Sequence, residues 1–125
     1  MIYMAFEQDG IKQVDKEELK ELVKSETNKP IIIDVRELEE YEEAHIPGLP
    51  LIPMGSIPTV IDQLDKEQSY LFVCRSGGRS QNVAMYLSSQ GFKDVSNYYG
   101  GMLAWDGEVK SGAEWVIKDV KELKS

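Results

Sequence analysis

Residues 73–80 read Val-Cys-Arg-Ser-Gly-Gly-Arg-Ser, and Cys74 is the single cysteine of the 125-residue chain. A thiol beside Arg75 and Arg79, with Ser76, Gly77, Gly78 and Ser80 around it, is a candidate nucleophile, because the thiolate is the attacking species and cationic or hydrogen-donating surroundings favour it. The preceding residues, "YLFVC" (70–74), read as a buried strand, and "RSQNVAMYLSSQ" (79–90) reads as a helix ended by Gly91. Cys74 then stands at the carboxyl end of a strand with a helix beginning about four residues later, where open parallel α/β sheets bind their ligands. A glycine-containing curl turns several amides inward as an anion-binding nest, and a helix N-terminus adds positive dipole at the same point. Those donors and the two arginines are expected to lower the thiol pKa. A free cysteine at a strand end is often just a small buried hydrophobe. The Cys-x4-Arg-Ser pattern between strand and helix argues against that here.

Other elements must hold this loop. "VDKEELKELVKS" predicts an amphipathic helix over 15–25, with Asp15 as cap, Glu18 at the third helical position and Val14 and Leu19 as hydrophobic staple. "PIIIDV" (30–35) is a continuous β-branched run that suits a strand covered on both faces. "ELEEYEEA" (37–44) switches to helix formers, with five glutamates in its first seven residues, and reads as a helix with a solvated face. "HIPGLPLIPMGSIP" reads as a loop enclosing a short strand at 50–53, after which Ser56 can cap a helix with Ile57, Val60, Ile61 and Leu64 on one face. A strand near 95–98, a Gly100-Gly101 turn and a short helix follow. Strands alternate with helices, so the expected class is α/β with a mostly parallel sheet and helices on both faces. Residues 111–125 fit either a terminal element packed on the body or a partner-facing segment.

Composition narrows the function classes. A chain of this length is expected to form one domain over 1–125, and 42% hydrophobic with 29% charged residues describe an ordinary globular chain. A net charge of −8 argues against nucleic-acid or anionic-membrane binding. One cysteine excludes an internal disulfide, and with one histidine, His45, leaves too few soft ligands for a typical structural zinc site. No metal or cofactor is implied. The opening "MIYMAFEQDG" has only about six mostly apolar residues before Glu7, shorter than a signal-peptide core, and nothing approaches a membrane span. A free thiol beside cations fits a reducing cytoplasm.

Three segments, in order, resemble the rhodanese-like sulfurtransferase family. "IIIDVRELEEYEEAHIPG" is similar to its amino-terminal signature, "LFVCRSGGRSQNVAMYL" to its active-site loop and helix, and "GGMLAW" (100–105) to its carboxyl-terminal signature. The resemblance covers about residues 11–110. Ala44, where the family often has glycine, and the extra proline in "LPLIP" depart from the pattern and bear on loop geometry. The resemblance implies a three-layer α/β/α fold around a mostly parallel five-stranded sheet. It implies that Cys74 takes the outer sulfur of a donor such as thiosulfate as a persulfide and passes it to a thiol or cyanide, with amides from Arg75 to Ser80 stabilising the anion. Arg75 is expected at the mouth, facing an anionic donor, with a merely solvated side chain the lesser alternative. Arg79 is expected either to contact the donor or to pin the loop through a carboxylate. Asp34, Arg36, His45, Gly100, Gly101 and Trp105 are signature residues for which structural roles are expected, with Trp105 as a ligand platform the lesser alternative.

Two rivals remain. Phosphatases and arsenate reductases of similar fold use Cys-x5-Arg to seat three oxygens, and the loop here is one residue shorter, with Ser80 where the bidentate arginine would stand. A persulfide carrier or partner-binding module without efficient free turnover is compatible with every residue named, with a protein persulfide donor or thioredoxin-like acceptor as partner.

Overall fold

The computed structural model describes residues 6–25 and 29–123. The apolar opening residues 1–5, and residues 124–125 of the C-terminal segment, lie outside that range. The elements run β1 (Phe6–Gln8), β2 (Ile11–Val14), α1 (Lys16–Lys24), β3 (Ile31–Asp34), α2 (Leu38–Glu43), α3 (Ile57–Val60), β4 (Ser69–Val73), α4 (Gly78–Ser89), β5 (Asp94–Tyr98) and α5 (Gly101–Ala104). They build one five-stranded sheet in the order β1-β2-β5-β4-β3. Every pairing is parallel except the β1–β2 hairpin.

Alternation along the strands divides the apolar residues between two faces. Ile33, Tyr70, Phe72 and Val95 join one buried cluster with Val83, Ala84 and Leu87 of α4 and Ile57, Ile61 and Leu64. Ile32, Leu71, Val73 and Tyr98 join a second with Leu19, Leu22 and Val23 of α1 and Met102 and Trp105 at α5. The sheet is thus covered on both faces, as expected of an α/β/α rhodanese-like fold.

Asp15 caps α1 by accepting the Glu18 amide at 2.8 Å. Glu40 of α2 reaches back to the Glu37 amide at 3.0 Å, which anchors the first turn of that acidic helix. Two expectations differ, and one element is additional. The β1–β2 hairpin turns at Asp9-Gly10, both with positive φ, the pair that a two-residue hairpin turn favours. The segment 50–53 is not a full strand: Leu51 alone bridges Asp34 on one side and Val116 on the other, since Pro50 and Pro53 have no amide to donate. Ser56 makes no side-chain cap bond, and the helix expected after it stops at Val60 and tightens into a 3₁₀ turn, Ile61–Gln63.

The C-terminal segment packs on the body. Leu51 donates to the Trp115 carbonyl, Ile117 donates back to Leu51, and Val120 and Leu123 enter the first cluster. Among the described residues, no helix is long and apolar enough to cross a membrane.

Candidate active site

Cys74 follows the last residue of β4 and is 1% exposed. The turn from Arg75 to Gly77 bends the chain back over it, so that the Gly77 amide reaches the Cys74 Sγ at 3.1 Å and the Ser80 hydroxyl reaches it at 3.2 Å. Only glycine fits at 77: φ is +93°, and a Cβ would lie 2.2 Å from the Tyr99 carbonyl oxygen. Burial pushes the Cys74 thiol up. The Ser80 hydroxyl and the amides of Ser80, Ser76 and Gly77 oppose it and prevail, leaving the pKa below the ordinary thiol value. Neither arginine hydrogen-bonds Sγ; Arg79 favours the thiolate through its charge, behind the hydroxyl and the amides.

The reason is where the arginines go. Arg79, the second residue of α4, forks its guanidinium onto Glu40 of α2, with Nη1 at 2.7 Å from Oε1 and Nη2 at 2.8 Å from Oε2. Of the two alternatives for Arg79, the geometry has the carboxylate pin. Arg75 is exposed and makes no ion pair with any described residue. Ser76 and Gly78 are exposed on the loop, whereas Gly77 and Ser80 are buried.

The other signature residues surround this loop without touching Sγ. Asp34, at the end of β3, is fully buried and accepts the Arg36 amide and the Arg36 side chain, Nε at 3.0 Å and Nη2 at 2.8 Å. Arg36 Nη2 also donates to the Ala44 carbonyl at 2.8 Å, closing the turn into α2. His45 is buried and stacked on Tyr41, with Nδ1 at 2.9 Å from the Tyr41 carbonyl and Nε2 at 2.8 Å from Glu114. His45 therefore ties the C-terminal segment to α2 and does not reach the thiol loop.

Gly101 has φ +63°, and a Cβ there would lie 2.2 Å from the Arg75 carbonyl oxygen. That close approach lets α5 dock on the loop: Met102 donates to the Cys74 carbonyl at 2.9 Å and Leu103 to the Arg75 carbonyl at 3.0 Å. Gly100 leads into this turn. Trp105 packs in the second cluster and donates its indole N–H to the Glu108 carbonyl at 3.0 Å. Arg36, Glu40, Glu43, Arg75, Leu103 and Trp105 are among the residues lining a cleft of about 290 Å³ beside the loop.

The model of the rhodanese-like domain matches residues 15–108. The chain belongs to the rhodanese-like family. Among relatives of this rhodanese-like chain, YtwF of Bacillus subtilis is 49% identical over 100 residues, covering 80% of this chain and 95% of its own. The thiosulfate sulfurtransferase GlpE of Coxiella burnetii is 38% identical over 94 residues, covering 75% and 86%. A crystal structure of a rhodanese-like domain protein from Staphylococcus aureus superposes with a TM-score of 0.69 at 37% identity, covering 79% of this chain and 96% of that one.

Several residues that complete this rhodanese-like site escaped the sequence reading. Glu40, expected on a solvated helix face, holds Arg79. Asn97, Gln13 and Gln81 are buried behind the loop. Their signal was polar residues at positions where strand and helix patterns call for apolar ones.

Proposed function

We propose that this rhodanese-like chain is a sulfurtransferase that carries sulfane sulfur on Cys74. The carrying observation is the buried Sγ with the Ser80 hydroxyl and the Gly77 amide directed onto it at 3.2 and 3.1 Å, an environment that favours a sulfur anion in place of a thiol. The thiolate attacks the outer sulfur of an anionic donor such as thiosulfate. A Cys74 S–S bond forms, the donor's S–S bond breaks, and sulfite leaves with the electron pair. Cyanide then attacks the terminal sulfur, leaves as thiocyanate and regenerates the thiolate. A thiol acceptor instead leaves as its persulfide. The two half-reactions are ping-pong, and no metal or cofactor takes part in them.

Arg75, exposed at the edge of the cleft, is the group that meets an anionic donor, and the same cleft admits the acceptor. The Arg79 fork is filled by Glu40, so it is not free to grip the oxygens of a phosphate or arsenate. That occupancy favours sulfur over phosphoryl chemistry, in the same direction as the short Cys-x4-Arg loop. The single free thiol suits a reducing compartment such as the cytoplasm. A carrier role between protein partners uses the same Cys74 chemistry and differs in turnover with small molecules.

Thiocyanate release from thiosulfate and cyanide, with both concentrations varied, tests the reading. Parallel double-reciprocal lines are expected for the wild type, no thiocyanate for Cys74→Ser, and no hydrolysis of an aryl phosphate by either. Equal thiocyanate formation by wild type and Cys74→Ser would refute it, and aryl phosphate turnover that depends on Cys74 would replace it with the phosphatase.

A further inference from the structure

The Ser80 hydroxyl has one hydrogen and two acceptors within reach: Cys74 Sγ at 3.2 Å and the Asn97 Oδ1 at 2.5 Å. Which atom of Asn97 faces Ser80 follows from a chain of three buried amides, each oriented by a backbone carbonyl that can only accept. The Asn97 Nδ2 donates to the Gly77 carbonyl at 3.2 Å and to Gln13 Oε1 at 2.9 Å. Gln13 Nε2 donates to the Ile11 carbonyl at 3.0 Å and to Gln81 Oε1 at 2.8 Å. Gln81 Nε2 donates to the Gln8 carbonyl at 2.9 Å. Turning Asn97 over would set its oxygen against the Gly77 carbonyl and Gln13 Oε1. Its oxygen is therefore fixed on Ser80, and a buried acceptor without a donor is costly.

We propose that Asn97, oriented by Gln13 and Gln81, is a positioning residue that takes the Ser80 hydrogen while Cys74 is a neutral thiol and yields it when Cys74 is charged. The Ser80 O–H is a rotor between the two acceptors. In the thiol form it bonds Asn97, and the thiol is free to donate its own proton to the Ser80 oxygen. In the thiolate form the hydrogen turns to Sγ, leaving Asn97 Oδ1 unpaired. The amide chain thus opposes ionisation of Cys74 through Ser80, and keeps the thiolate fraction below what Ser80 and the loop amides alone would give. The proposal deepens the reading of Cys74 as a sulfur carrier and rests on it for its use, but it is decided by a property of the thiol alone.

The charged groups around the loop are Arg75, Arg79 with its partner Glu40 and the nearby Glu37, Glu43 across the cleft, and Arg36 with its partner Asp34. None is altered in the variants below. Cys74 is the only cysteine, so the pH dependence of iodoacetamide alkylation, followed by intact mass without any sulfur donor, reports its pKa directly. The pKa is measured for wild type, Asn97→Leu, Ser80→Ala and the double variant, with near-UV circular dichroism to establish the fold. Asn97→Leu also removes the support of the Gly77 carbonyl, but that contribution is common to both backgrounds and cancels in the cycle. The change caused by Asn97→Leu is expected to be more downward with Ser80 present than in Ser80→Ala, by about half a pH unit, the worth of one modest hydrogen bond. If Asn97→Leu does not fold, Gln13→Met, which loosens Asn97 from behind, is expected to give a smaller difference of the same sign. A difference of zero, or one of opposite sign, overturns the proposal. Failure of thiosulfate to add sulfur to Cys74, with the predicted cycle intact, would remove the sulfurtransferase reading and leave the hydrogen-bond rotor standing.

Discussion

At Cys74 two effects of opposite sign compete, burial against inward-facing donors, and the donors prevail. None of those donors is ionised. Arg79, which the sequence puts beside the thiol, contributes its charge there but no hydrogen bond, because its guanidinium is held by a carboxylate 39 positions away that no local pattern reveals. The pairing is reciprocal: the Arg79 donors pull the Glu40 carboxyl down to about 2, against burial and with help from the Glu37 amide. A carboxyl whose folded pKa lies below its unfolded value of about 4.5 binds fewer protons when folded. Its contribution to stability is complete above that unfolded value and is lost as pH falls toward 2. Both side chains are about one-third exposed, so solvent screening trims the pair's worth. Glu40→Gln is expected to cost about 1 kcal/mol at pH 7 and to lose less stability than wild type between pH 5 and pH 3. Urea unfolding at the three pH values measures both.

Among the elements, β3, β4 and α4 were legible because their composition is uniform: β-branched and aromatic runs for strands covered on both faces, and good helix formers after a glycine turn. The hairpin β1–β2 was not. All of β1 is exposed, and β2 carries Gln13 buried, a residue that only makes sense once Asn97 and Gln81 are beside it. The helix after Ser56 broke early because an apolar spacing can be met by a short α-helix and a 3₁₀ turn in succession as well as by one helix. The Gly100-Gly101 turn was legible as a turn but not as a docking contact, since nothing local shows that the Arg75 carbonyl lies against Gly101. Gly101→Ala puts a methyl group into that carbonyl at a positive φ. It is expected to destabilise the fold by roughly 2 kcal/mol or more and to displace α5 from the loop. Chemical denaturation, with the alkylation rate of Cys74 as a probe of loop opening, measures this: the rate at fixed pH rises if α5 releases the loop.

Across the whole molecule, the parallel sheet brings the ends of β3, β4 and β5 to one side, and the thiol loop, the Asp34–Arg36 turn and the Gly100-Gly101 turn meet there. The family fold was recoverable from the order of three sequence segments. The polar chain from Gln8 through Gln81, Gln13 and Asn97 to Ser80 was not, because it links β1, β2, β5 and α4, and only the strand order makes them neighbours. The segment after Val109 likewise shows its place only in three dimensions, held by His45, Tyr41 and Leu51. The three turns and the polar chain meet around one sulfur atom in a chain with no other thiol, and intact mass after incubation with thiosulfate and removal of excess donor tests its role most directly. A gain of one sulfur atom is predicted on wild type, reversed by cyanide and absent in Cys74→Ser. An unchanged wild-type mass, or the same gain on Cys74→Ser, would contradict it.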